Sequence, residues 1–157
     1  MDWGFSFHRS RISWIGPSNP DKNLYRAVWE PAHRFTADIL GLEYVDAEID
    51  CVGRMPGEYD WICDWEIKTR HKHGDFLLRR DQHFEVEARL GGYILVTLNR
   101  SGYDWHIDEI KLATARGVDE ELGIWCEGPR SRDYWVQWFD PSELQGSDYT
   151  EGRWSHA

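Results

Sequence analysis

Between Val45 and Cys51 the chain alternates strictly, with Val45, Ala47, Ile49 and Cys51 on one side and Asp46, Glu48 and Asp50 on the other. A period of two predicts a strand with one buried face. A second alternation follows, setting Trp61, Cys63, Trp65 and Ile67 against Asp64, Glu66 and Lys68. Gly53, Pro56 and Gly57 lie between the two and supply turn chemistry, so the pair predicts a hairpin. Elsewhere the period lengthens. Leu24, Val28, Phe35 and Ile39 recur at spacings of four, seven and four, which predicts helix over Asn23–Leu40. Pro31 makes it two helices or one kinked helix, and Gly41 marks its end. Asp75 to Arg89 predicts another helix, closed by Gly91 and Gly92. Tyr93–Leu98 is continuously apolar and rich in β-formers, the pattern of a central strand covered on both faces.

The remaining segments are less periodic. The first 20 residues predict irregular chain, with a loop at Gly16–Asp21. A short helix is expected around Glu109–Arg116, a last strand over Asp133–Phe139, and a polar tail over 145–157. The order helix, strand, strand, helix, strand predicts one α/β (α+β) domain over 1–157, with a mixed central sheet flanked by helices and a core at about 23–140.

Composition narrows the class. A chain of 157 residues with 41% hydrophobic and 29% charged positions has the balance of a folded domain. Ten tryptophans is a high count for this length; many are expected in the core, leaving some for an interface, where tryptophan is favoured. The formal net charge of -10 argues against broad binding to polyanions but leaves room for a local basic track. Lys68, Arg70, Lys72, Arg79 and Arg80 form such a track, against the single acid Asp75. Residues 103–157 carry twelve acids and five basic groups and are expected to face away from nucleic acid. Cys51, Cys63 and Cys126 are odd in number and lack metal-binding spacing. They are expected to be small apolar core residues in a reducing compartment. No apolar run near Met1 suits a signal or a membrane span, so a cytoplasmic protein is expected.

The hairpin carries the candidate chemistry. Residue 58, beside the Pro56–Gly57 turn, is midway between Asp50 and Glu66. A simple antiparallel register would therefore oppose these two acids, about 4.5–5.5 Å apart on one face. Lys68 would stand one pleat along, about 7 Å from Glu66. Two opposed carboxylates repel unless a cation sits between them. Mg²⁺ suits such a pair, because it takes oxygen ligands and completes its shell with water and substrate phosphate. A neighbouring lysine then serves the water or the charge that develops on the phosphate.

"AEIDCV" followed by "DWEIKT" resembles the hallmark of the PD-(D/E)xK nuclease superfamily. The match is Asp50, fifteen intervening residues, then Glu66-Ile67-Lys68. "LLRRDQHFEVEARLGGYILVTL" resembles the family's glutamine-bearing helix followed by an apolar strand, with Gln82 as the glutamine on a helical stripe with Leu78 and Val86. The resemblance covers roughly Asn23 to Leu98 and departs from the family at Ile49, where the name implies proline. It implies a restriction-endonuclease-like αβββαβ core and a DNA endonuclease that uses Mg²⁺, with Mn²⁺ able to substitute. Asp50 and Glu66 would bind the metal, and Lys68 would orient or activate the attacking water. Gln82 would position water or the scissile phosphate. Glu30 would be the acid of the first helix that joins the metal site, with Asp38 as its alternative. Arg70, Lys72, Arg79 and Arg80 would contact the nucleic-acid backbone, and a chain this short is expected to act as a homodimer. The competing class is a non-catalytic protein on the same fold that binds a protein partner or mimics DNA through its acidic surface.

Overall fold

Pro31 does not divide the first helix. In a computed structural model, which describes residues 5–7, 12–15, 24–45, 47–72, 74–101, 104–128, 135–139 and 147–148, Leu24–Leu40 form one helix, α1, with Pro31 inside it. Proline has no N–H, so the carbonyl of Ala27 loses its partner one turn on. The helix ends as its sequence predicts. Gly41 takes φ 72, its N–H reaches the Asp38 carbonyl at 3.1 Å, and the Leu42 N–H reaches the Ala37 carbonyl at 2.9 Å.

After α1 come short strands β3 (Glu43–Tyr44) and β4 (Cys51–Val52), then the longer β5 (Asp64–His71). Strand β6 (Phe76–Arg79) leads into helix α2 (Arg80–Ala88), and β7 (Gly92–Ser101) returns beside β5 in parallel. Strand β8 (Asp104–Thr114) folds back antiparallel on β7 and leads into helix α3 (Ala115–Glu121). Upstream of α1, β1 (Phe5–Phe7) and β2 (Ile12–Ile15) extend the same sheet. Its order is β1-β2-β8-β7-β5-β4-β3, and β11 (Ser147–Asp148) also pairs with β8. A second sheet of three strands, β6-β10-β9, uses β9 (Cys126–Glu127) and β10 (Trp135–Phe139).

The large sheet is covered on both faces. Trp65, Ile67, Ile94 and Val96 pack with Phe35 and Ile39 of α1. Tyr93, Leu95 and Ala113 pack with Phe76, Leu78, Val86 and Val118 on the opposite side. Strand β7 is central, and Tyr93–Leu98 are all buried, as the continuous apolar run predicts. The result is a mixed α+β fold in three layers.

Several elements differ from the sequence expectation. Residues 45–52 are not one strand: the chain bends between β3 and β4, and Val45 and Ala47 are exposed. Trp61 and Cys63 are exposed too, because β5 starts only at Asp64. Of the cysteines, Cys51 is buried but Cys63 and Cys126 are exposed. Helix α2 starts at Arg80 rather than Asp75, since residues 76–79 are drawn into a ladder with β10. Gln82 therefore shares its helix with Val86 but not with Leu78. The expected helix around Glu109–Arg116 is mostly strand. The β7–β8 register slips at Thr97/Leu98, pairing Thr97 with Glu109 and Leu98 with Ile107, so Asp108 is the extra residue of a bulge. That shift separates buried Ile107 from buried Ile110 by three positions, a spacing that imitates a helix. The first 20 residues contribute two strands, and residues 147–148 a third, where irregular chain and a tail are expected. The loop at 16–21 and residues 149–157 lie outside the described residues. No helix among the described residues is long and apolar enough to cross a membrane.

At the end of α2, Leu90 occupies the left-handed position (φ 54) that glycine usually takes. Its N–H reaches Glu87 O at 3.0 Å, and the Gly91 N–H reaches Val86 O at 2.9 Å. The glycines that follow are required for space instead. A Cβ on Gly92 would lie 2.7 Å from the Trp65 ring and 2.9 Å from the Ala113 carbonyl oxygen. Leu90→Gly is therefore expected to stabilise the fold by about 1 kcal/mol, by removing left-handed strain from an exposed residue. Gly92→Ala is expected to cost about 1–3 kcal/mol through overpacking. Urea midpoints at constant slope measure both, and a lower midpoint for Leu90→Gly would contradict the first.

Candidate active site

Strand β4 pairs Cys51 with Trp65 and Val52 with Asp64, and then stops. This register sets Asp50 at the level of Glu66, as the symmetry of the turn predicts. Beyond that point β5 runs on to His71 with no strand on the β4 side among the described residues. The Asp50 side chain takes over from the missing strand, its Oδ2 accepting the Ile67 backbone N–H at 2.9 Å. Along this open edge lies a cleft of about 250 Å³. Trp29 and His33 of α1 form one side of it. Leu77 of β6 and Gln82 of α2 form another, with Asp50 and Glu66–Thr69 between them.

Glu66 is only 3% exposed although it belongs to the polar side of the alternation. Its Oε1 lies 3.7 Å from Lys68 Nζ. Its Oε2 is buried and has no hydrogen-bond partner among the described residues. Burial pushes the Glu66 carboxyl up to about 8; Lys68 opposes this, and the charge of Asp50 and a hydrogen bond with it add to it. Two carboxyl groups so placed hold a proton between them when nothing else neutralises them. A cation would displace that proton, and the donor set (two carboxylates, one with a bare buried oxygen) suits one.

Lys68 Nζ donates to Gln82 Oε1, which ties β5 to the first turn of α2. His33 is 5% exposed, and neither ring nitrogen has a hydrogen-bond partner among the described residues. Burial, then Lys68, lowers its pKa to about 3, so the imidazole is neutral. The Trp29 ring lies 4.9 Å from it, centroid to centroid.

Four of the expected site residues, Asp50, Glu66, Lys68 and Gln82, thus meet in one cleft. Glu30 is not among the residues that line it. One residue is about 100° of helix rotation, so Trp29 faces the cleft while the Glu30 carboxylate accepts from Arg34 Nη2 at 3.3 Å. Asp38, the alternative acid, is exposed and does not line the cleft either. The basic track is spread around the edge. Arg70 is half-buried, donates to Thr97 Oγ1 at 2.9 Å and stacks over Phe76. Lys72 lies 3.8 Å from Asp108, and Arg79 lies 2.9 Å from Asp81. Arg80, at the start of α2, lies over the rings of Phe84 and Trp135.

A second group is absent from the sequence expectations. His83, Glu87 and Asp119 bring ligand atoms within 4.8 Å of one another and could hold a metal ion. His83 Nε2 is 3.0 Å from Asp119 Oδ1 and 3.6 Å from Glu87 Oε2, and its Nδ1 is 2.9 Å from the Tyr93 hydroxyl. Both ring nitrogens are therefore satisfied from within the chain, unlike those of His33. The i,i+4 spacing of His83 and Glu87 is visible in the sequence, but Asp119 joins them only through the packing of α3. His33 was equally visible, one turn after Trp29, but no pattern marked that face of α1 as a cleft wall.

Comparison of the chain with protein-family models, with curated proteins and with solved structures found no match in any of the three.

The raised pKa of Glu66 has a consequence for stability. The folded state binds this proton more tightly than the unfolded chain does. Its contribution is fully present below the ordinary glutamate value and is lost as pH rises through about 8. In the absence of divalent cations, the wild type is expected to lose stability relative to Glu66→Gln between about pH 4.5 and pH 8. Urea midpoints across that range test it, and parallel pH profiles for the two proteins would refute it.

Proposed function

We propose that this protein is a divalent-cation-dependent nuclease of the PD-(D/E)xK type that hydrolyses DNA phosphodiester bonds. One observation carries the reading: Asp50, Glu66, Lys68 and Gln82, from three separate segments, line a single cleft in which Glu66 Oε2 is buried without a hydrogen-bond partner among the described residues. An acidic pair of this kind is costly to build for stability alone. The order of elements is compatible with it, since the strand bearing Glu66 and Lys68 lies parallel to the strand that follows the Gln82 helix.

Asp50 and Glu66 would hold the cation, which when bound lowers the pKa of its water and neutralises phosphate charge. Asp50 is aimed by its bond to the Ile67 N–H, and Glu66 by the buried strand that carries it. The Lys68 ammonium, held between Glu66 and Gln82, donates to the phosphate oxygen on which charge develops. Gln82 acts through Lys68, fixing the ammonium that would otherwise sample several rotamers. Lys72, Arg79 and Arg80 are exposed, Lys72 just past the end of β5 and Arg79 and Arg80 at the junction of β6 and α2 between Leu77 and Gln82, where they can follow a phosphate backbone.

The test is incubation of the purified chain with labelled duplex, single-stranded and branched DNA in Mg²⁺ or Mn²⁺. Cleavage is expected with cation and none with chelator. Asp50→Asn, Glu66→Gln and Lys68→Ala are each expected to lose about 100-fold or more, and Gln82→Ala about tenfold. Full activity in Glu66→Gln would remove the assignment. A chain that neither cuts DNA nor responds to cations would return the competing reading, an acidic binding module.

A further inference from the structure

Helix α2 presents Gln82 to the cleft, yet little secures it. It buries only His83 and Val86, and its N-cap residue, Arg79, makes no side-chain cap bond. A helix of nine residues with so little buried surface depends on its remaining tertiary contacts. The one polar contact that holds it to α3 begins at the residue after Gln82. His83 is fully buried, and its Nε2 points between two carboxylates, Asp119 of α3 and Glu87 one turn along α2. Asp119 Oδ1, at 3.0 Å, accepts the proton of that nitrogen. Glu87 Oε2, at 3.6 Å, is beyond hydrogen-bond reach. Two acids from two helices thus converge on a ring nitrogen that has one proton to offer. The proton serves one of them, whereas a divalent ion in its place would serve both.

We propose that His83, Glu87 and Asp119 bind a Zn²⁺ ion, a second metal site that fastens the Gln82 helix to α3. The inference does not depend on the nuclease reading, since none of the three residues lines the cleft. Imidazole beside two carboxylates suits zinc, whereas Mg²⁺ and Ca²⁺ favour all-oxygen shells. Tetrahedral bonds of about 2.0–2.1 Å set ligand atoms roughly 3.3 Å apart. That spacing lies between the 3.0 and 3.6 Å that separate His83 Nε2 from the two acids, and all three ligand atoms lie within 4.8 Å of one another. The buried ring is the fixed ligand, while both carboxylates reach solvent and can close the small distance that remains. Water completes the shell from that open side. The ring is aimed from behind by the Tyr93 hydroxyl, 2.9 Å from Nδ1. When the ion takes Nε2, the proton of the neutral ring resides on Nδ1 and is donated to the Tyr93 oxygen, whose own hydrogen turns away.

Zn²⁺ itself is the probe, titrated into the full chain and into Glu66→Gln, where the acidic pair of the cleft is disabled. Binding is expected in both. Asp119→Asn and Glu87→Gln change side chains that reach solvent and spare the core, and each is expected to weaken Zn²⁺ about tenfold or more. Nitrogen-15 spectra of the histidine rings are expected to show the His83 proton move from Nε2 to Nδ1 when Zn²⁺ is added. Amide hydrogen exchange over Phe84–Ala88 is expected to slow with Zn²⁺ in the wild type and not in Asp119→Asn. Zn²⁺ binding that is lost in Glu66→Gln but kept in Asp119→Asn and Glu87→Gln overturns the inference and leaves the cleft reading in place. An unmoved His83 proton overturns it as well, and so does a chain that binds no Zn²⁺. Zn²⁺ that binds here without slowing exchange in α2 overturns the fastening role. The wild-type spectra decide these points even where a variant fails to fold.

Discussion

The Asp50 carboxylate accepts the backbone hydrogen bond of Ile67 at a point where β4 has ended and, among the described residues, no other strand takes its place. Much of the site follows from that substitution of a side chain for a strand. A longer β4 would cover the edge of β5 and fill the cleft with backbone. A β5 left bare would expose an unpaired N–H next to buried Glu66. With Asp50 in place, the edge stays open to a ligand while its first donor is satisfied. The same bond brings a second carboxylate against Glu66 and creates the electrostatic problem that a cation would solve.

That problem is sustained by the layers on either side. Trp65 and Ile67 are locked against α1, and Tyr93 and Leu95 against the α2 side, so β5 cannot turn Glu66 toward solvent without unpacking both cores. Gly91 and Gly92 contribute from behind. Their missing side chains let β7 lie close to β5 and the Trp65 ring, which holds the strand at its depth. The acid is therefore kept buried chiefly by apolar contacts on other residues, with Lys68 and Asp50 as its own polar neighbours.

Much of the local centre was legible before the fold was known. The symmetry of the chain about residue 58 is a one-dimensional property, and it carried over into the pairing of Cys51 with Trp65. The Gln82 helix and the buried β7 were legible for the same reason, because each is a local pattern. What failed was pattern interrupted by long-range partners. Residues 76–79 have apolar positions that suit a helix or a strand, and only β10, some 60 residues on, decides. The bulge at Asp108 broke the alternation of β8 and disguised a strand of eleven residues. His33 illustrates the limit at the site. A histidine on the face of an amphipathic helix gives no sign of whether a core or a cleft lies opposite it.

The cleft has walls of unequal stiffness. On one side stands β5, bonded along its length to β7. On the other is α1, whose Trp29 and His33 straddle Pro31, where the helix has lost a rung of its hydrogen-bond ladder. A helix is most easily bent where a rung is missing, so the two aromatic side chains of the wall sit on either side of the natural pivot. The width of the cleft can thus change by a small flexure of α1, without disturbing the strand that carries Glu66 and Lys68. On the proposed reading, ligands of different bulk would meet a compliant wall while the charged groups keep their positions.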